Sequence, residues 1–238
     1  MKIIKKVSFI LVIVLLIVIY ITNKDTKVYY VSLGDGISRG INGNDIEGYG
    51  YSDYVKDYLN KNNKLEFYTK KFSGIDYRTT DIINDIEDNI EIIQNNKKIT
   101  IKKALMNADV ITLSTGLNEI LYKINKDNLV YVPYDYIDEV LNDIKKLINI
   151  IKKYCKEDII FINDSKMDNI IKYANNKLID ICVNEDIYYI DTYNLFKNNN
   201  KVFTNINSYY PNIDGYKLIS EKTIQIIQKN IIKSKKTM

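Results

Sequence analysis

The chain of 238 residues contains no histidine and no tryptophan, and has only two prolines, two cysteines and nine glycines. The missing histidine excludes most. Imidazole alone has an unperturbed pKa that places its charge change near neutrality, so no mechanism here can use a histidine general base. The two cysteines, Cys155 and Cys182, form no metal-like spacing. Each lies in or beside a helical pattern, so buried free thiols are expected, although a disulfide is permitted outside the cell. Isoleucine, asparagine, lysine and tyrosine dominate the composition. This bias runs through the whole chain, and single Lys or Asn residues therefore carry little weight.

A surplus of charge is also missing once the N-terminus is set aside. The formal net charge is +4, but residues 1–22 hold three Lys and no acid, which leaves 31 positive against 30 negative groups. That balance does not suit nucleic acid. The Lys-rich C-terminus (Lys229, Lys233, Lys235, Lys236) reads as a solvated tail.

What is present begins with Lys2, Lys5 and Lys6, followed by an almost unbroken apolar run from Val7. A cleaved signal peptide needs a small-residue site after its apolar core, and Tyr20-Ile21-Thr22-Asn23 offers none. A lipoprotein needs a cysteine there, and the first is Cys155. A buried core helix would not be uniformly apolar beside three lysines. The favoured reading is an uncleaved transmembrane signal anchor over 7–22, with a cytoplasmic N-terminus at 1–6 and the domain outside the cell membrane. A linker (23–27), a single domain (28–232) and a basic tail (233–238) follow.

Within the domain, apolar runs alternate with helical stripes. Val28 to Leu33 reads as a buried strand ending in the turn Gly34-Asp35-Gly36. A glycine- and asparagine-rich loop spans Gly40 to Gly50, and a helix follows through Tyr51, Val55, Tyr58 and Leu59. Leu65 to Phe72 reads as a second strand. Thr80 is placed to cap a helix with the stripe Ile82, Ile83, Ile86, Ile90 and Ile93. Ala108 to Ser114 is a third strand. A long helix from about Tyr136, a strand over Asp158 to Asn163, a helix through Met167 to Cys182, a strand over Ile187 to Ile190 and a last helix near Asp214 complete the pattern. Strands alternating with helices imply right-handed βαβ units. The expected fold is α/β and flavodoxin-like, with three layers and a five-stranded parallel sheet of order 2-1-3-4-5. That order sets the turn at Gly36 beside the loop at Asn118.

Four motifs appear in order: Gly34-Asp35-Gly36-Ile37; Gly74 to Thr80; Gly116-Leu117-Asn118-Glu119; and Asn207-Ser208-Tyr209-Tyr210-Pro211-Asn212 with Gly215-Tyr216. Together they resemble the SGNH/GDSL esterases and lipases, in the order and spacing of that family. The resemblance implies a serine nucleophile at Gly36, an aspartate at Asn207 and a histidine base at Tyr210, so no triad member is present. It also implies oxyanion donors from the Gly36 amide, the Asn118 side chain and a glycine of the second motif. That glycine is either Gly74 or, if Thr79-Thr80 match the family's threonines, the position held by Tyr77. Losing a triad costs about 10⁶-fold in turnover, with about 10³–10⁴ surviving from binding and the oxyanion hole.

Each residue also has a plain reading. Gly36 permits a positive φ, Asn118 can cap the helix after the third strand, Asp35 can bond backbone amides in its turn, and Tyr209 and Tyr210 can pack over the vacated site. Ser32 and Ser38 are poorly placed as replacement nucleophiles. The expectation is a catalytically degenerate, membrane-anchored domain that needs no cofactor or metal. Its remodelled cleft would bind an envelope ligand or partner: a glycan, an acylated polymer or an envelope protein. An esterase with non-standard groups, such as a Ser–Lys pair, and a pure scaffold with a tyrosine-filled cleft are the alternatives.

Overall fold

The structure is a computed structural model and describes residues 27–44, 46–116, 118–120, 133–155, 157–163, 169–197, 199–204 and 210–232. The expected anchor at 7–22, the basic tail, Tyr209 and the family position Asn207 lie outside the described residues. Among the described residues, no helix is long and apolar enough to cross a membrane.

Strand β1 (Val28–Gly34) leads into a one-turn helix α1 (Gly36–Arg39) and then α2 (Tyr51–Lys61). After β2 (Leu65–Thr69) come α3 (Thr79–Asp88), a hairpin of β3 (Glu91–Gln94) and β4 (Lys97–Thr100), and α4 (Ile101–Asn107). Then follow β5 (Val110–Ser114), α5 (Tyr134–Tyr154), β6 (Asp158–Ile162), α6 (Asn169–Asn184), β7 (Tyr188–Ile190), α7 (Thr192–Phe196) and α8 (Ile213–Ile226). The main sheet is parallel throughout, in the order β2-β1-β5-β6-β7. This is the arrangement expected from the βαβ pattern.

Side chains alternate across the strands. Val31, Leu33, Ile111, Leu113, Ile159 and Phe161 join a core with α3, α4, α5 and α6. Val28, Tyr30, Val110, Ile160 and Ile162 join a second core with α2, α7 and α8. The central strands are apolar on both faces, as a parallel sheet covered by helices requires. Helix α5 buries a stripe that includes Ile137, Val140, Leu141, Ile144, Leu147, Ile148 and Ile151. Each such side chain contributes about 1.5–3 kcal/mol on full burial, so this stripe holds the helix in place. Cys155 and Cys182 are both free and buried.

The structure departs from the expected pattern after Thr80. Thr80 is not the cap of α3. Arg78 occupies that position, and its N–H donates to Asp81 Oδ2 at 2.9 Å. The helix stops at Asp88 because Asn89 turns left-handed, with φ of 54°. Ile90 and Ile93 therefore leave the stripe, and Ile93 lies exposed on β3. Asn95 and Asn96 both take positive φ, 50° and 60°, which is the backbone of a tight two-residue hairpin turn. The second strand also ends earlier than expected, at Thr69, and Phe72 enters the core from the turn beyond it.

Candidate functional site

The site is built where β1 and β5 end side by side. Gly34 closes β1 with φ of 138°, and a Cβ there would stand 1.9 Å from the Ser114 carbonyl oxygen. Only glycine allows the two strand ends to approach so closely. Asp35 then caps α1: its Oδ1 accepts from Ile37 N–H (3.0 Å) and from the Ser114 hydroxyl (2.7 Å). Asp35 is buried and bonded within its own turn.

Gly36 is the first residue of α1 and does not take a positive φ. Its lack of a side chain has a different cause. A Cβ at this position would lie 2.6 Å from both Cε1 and the hydroxyl oxygen of Tyr210. Tyr210 is 8% exposed. Its ring occupies the space beside Gly36 into which a nucleophile would project.

Asn118 stands in a helical turn after β5 and is not its cap. Its Nδ2 donates to the carbonyls of Ile75 (2.9 Å) and Tyr77 (3.2 Å). Its Oδ1 accepts a long bond, 3.4 Å, from the Tyr210 hydroxyl. The amide that would stabilise an oxyanion is thus turned onto the backbone of the second motif. The Gly74 N–H donates to the Gly34 carbonyl (3.1 Å). Above Gly74, the Tyr77 ring stands so close that a Cβ there would meet its Cδ1 at 1.8 Å. Tyr77 reaches on to Asp85, and its phenol is pushed up to about 12 by burial and by that carboxylate. The topology therefore brings Asp35, Gly36, Gly74, Tyr77, Asn118 and Tyr210 together, and two tyrosines fill the space between them.

Besides Ser114, three serines near the site are bonded to neighbouring groups. Ser38 Oγ donates to the Leu33 carbonyl (2.8 Å), and Ser73 Oγ to the Ser32 carbonyl (3.1 Å). Ser32 Oγ and Ser38 Oγ each lie 3.2 Å from the Tyr51 hydroxyl. That hydroxyl in turn donates to Thr112 Oγ1 (3.0 Å), in a fully buried network. None of these serines touches a lysine or a carboxylate in these bonds.

Two features escaped the sequence reading. One is an ion pair beneath the glycine-rich loop. Lys70 Nζ donates to Asp53 Oδ2 (2.7 Å) and to the carbonyls of Arg39 (2.9 Å) and Gly48 (3.3 Å). Asp53 three residues after Gly50 is a visible helix-start signal, but its lysine partner is not. The other is Glu119, buried beside Thr79, whose Oε2 has no partner among the described residues. Burial raises its carboxyl pKa, with the Asp143 charge adding to the effect. A raised folded-state pKa means that the folded chain holds the proton more tightly, so stability is full below the unfolded value and falls as pH rises through the folded one. Glu119→Gln is expected to stabilise the domain at pH 8 and to change it little at pH 4, read by urea unfolding at both. An equal effect at the two pH values would show that the carboxylate charge is not the cause.

A groove of about 750 Å³ lies elsewhere, along β7 between α7 and the end of α8. Among the described residues, no group of three or more Cys, Asp or Glu is placed to hold a metal ion.

No family model and no curated protein matches the sequence. Solved structures do match the fold. A lipase from a goat rumen metagenome is 19% identical, covering 82% of this chain and 94% of its own, with a TM-score of 0.60. A lipase/acylhydrolase from Enterococcus faecalis is 13% identical, covering 84% and 94%, also with a TM-score of 0.60. An acetyl xylan esterase from Geobacillus stearothermophilus is 14% identical, covering 83% and 93%, with a TM-score of 0.59. The four sequence motifs, the parallel sheet and these structural neighbours agree: the chain has the fold of the SGNH/GDSL hydrolases.

Proposed function

We propose that this protein is a catalytically inactive SGNH-type domain, held outside the cell membrane by the apolar segment 7–22, which binds an envelope partner over its remodelled cleft. One observation carries the loss of catalysis: the Tyr210 ring fills the space that a side chain at position 36 would need. The absence of histidine from the chain supports it. A tyrosine with an ordinary pKa of about 10 is a poor base at neutral pH. The Asn118 and Gly74 donors are spent on backbone carbonyls, so the residual catalysis that an oxyanion hole can sustain is reduced as well.

Filling the cleft with tyrosines favours a broad partner, such as an envelope protein or a glycan or acylated polymer chain, over a small molecule sunk in a pocket. The same filling supports a scaffold role as a second reading. Binding of a partner that is lost on mutating the surface around Tyr77 and Ile75 separates the two. The test of inactivity is the purified protein with short acyl esters and a serine-directed phosphonate probe. No turnover and no labelling are expected. Robust turnover that is abolished by mutating Ser32, Ser38 or Ser73 would overturn the proposal.

A further inference from the structure

Every strand of the main sheet runs the same way, so all five begin on one face of the domain. The chain enters at that face. Val28 N–H donates to the Lys64 carbonyl (2.6 Å), and Tyr29 N–H to Asp109 Oδ2 (2.7 Å). These bonds seat the loops preceding β2 and β5 beside the entry point. Residues 23–27 separate this point from the apolar run. Fully extended, five residues reach about 17 Å at 3.3–3.6 Å each. Along β1, seven residues at about 3.3 Å each carry the site about 23 Å from that face. The linker is therefore too short to let the domain turn its cleft toward a bilayer that holds the anchor.

Charge is uneven across the entry face, with lysines in excess on one side and carboxylates on the other. Its β2-β1-β5 side carries Lys27 and Lys61, both exposed, and Lys64, against Glu66 and the Asp109 that accepts from Tyr29. On α4, Lys103 and Met106 lie one turn apart on the outer side, and Met106 is 59% exposed. The β6-β7 side instead gathers Glu157, Asp158, Glu185 and Asp186 against Lys152 and Lys153 at the end of α5, with Lys152 paired to Glu185 at 3.6 Å. Burial, and then the Glu157 and Asp186 charges, raise the Asp158 pKa.

From this arrangement, and resting on the proposed anchor, we infer that the domain lies on its own membrane. The lysine-bearing β2-β1-β5 side of the entry face meets anionic lipid headgroups, with Met106 set among them. Lysines near an anionic surface are drawn to it, whereas the β6-β7 side, where carboxylates outnumber Lys152 and Lys153, is drawn less and leans away. The tyrosine-filled cleft then faces outward, beyond reach of lipids in the same bilayer. Its partner is met in the surrounding envelope.

The test uses the full chain in vesicles of phosphatidylcholine, alone or mixed with phosphatidylglycerol. Variants Met106→Cys and Ile213→Cys, each adding one exposed cysteine, carry a fluorophore, and the lipid carries a headgroup quencher. Ile213 opens α8 at the cleft end and is 57% exposed. Burial pushes the native thiols up to about 11 at Cys155 and about 12 at Cys182, and such thiols are inert to labelling in the folded chain. The expected result is loss of fluorescence at position 106, greater with phosphatidylglycerol, and none at position 213. Lys61→Glu with Lys64→Glu should reduce the loss at 106. If the chain survives an alkaline carbonate wash but position 213 is quenched as much as 106, or neither is quenched, the orientation is wrong and the anchor stands. Equal loss at 106 in both lipids overturns the anionic contact. Removal of the chain by carbonate overturns the anchor, and this inference with it.

Discussion

Gly36→Ser is expected to lower stability and to produce no esterase. The new Cβ would fall 2.6 Å from Tyr210 Cε1, and that ring is buried, so it must shift to relieve the overlap. Overpacking of this kind costs about 1–3 kcal/mol. The added hydroxyl would still face no base, because the chain has no histidine. The informative partner is Tyr210→His, which removes the phenol from the contested space. Gly36→Ser with Tyr210→His should be more stable than the two single effects sum to, with a coupling of about 0.5–3 kcal/mol. Urea unfolding of the four proteins reads it. A Gly36→Ser variant as stable as the parent would mean that the ring does not defend its place and that the cleft can open. This result would also change the proposed function, since a movable Tyr210 would expose Asn118 to a small ligand.

Asp53→Ala is expected to be the most destabilising single change away from the apolar core. The carboxylate is buried and meets Lys70 at 2.7 Å, the Gly50 N–H at 3.0 Å and the Tyr68 hydroxyl at 3.0 Å. Removing it leaves the Lys70 cation, whose side chain is only 16% exposed, with only the more distant Glu47 carboxylate at 3.9 Å. Breaking one side of a buried pair costs about 3–5 kcal/mol, chiefly through the charge left behind. In a domain of this size that is a fall in midpoint of about 6–20 °C. The pair Lys98–Glu91 serves as the control. It also spans 2.7 Å but is exposed, and exposed pairs contribute about 0–1 kcal/mol. If Asp53→Ala and Glu91→Ala cost the same, the Lys70 network does not hold the glycine-rich loop. If the expected difference appears, that loop is fixed from beneath, and the rim of the site with it.

The sequence alone determined the class of fold, the order of the main sheet and the lack of any histidine. These are local or compositional properties. Apolar residues at a period of two or of 3.6 mark strands and helices wherever they occur. Right-handed crossovers then leave few ways to order five parallel strands. The absence of histidine needs no coordinates at all. Only the tertiary structure decided what stands beside Gly36 and Asn118. Gly36 looks like a turn glycine from its neighbours, yet it is required by a ring 174 positions further along the chain. Asn118 looks like an oxyanion donor or a cap, yet its amide is committed to carbonyls 43 and 41 residues earlier. The turn at Asn95-Asn96 and the Asp53–Lys70 pair were also out of reach. In each case a contact between residues of ordinary type set the outcome. Such contacts depend on where side chains meet across packed elements, and the periodicity of either segment alone carries no record of them.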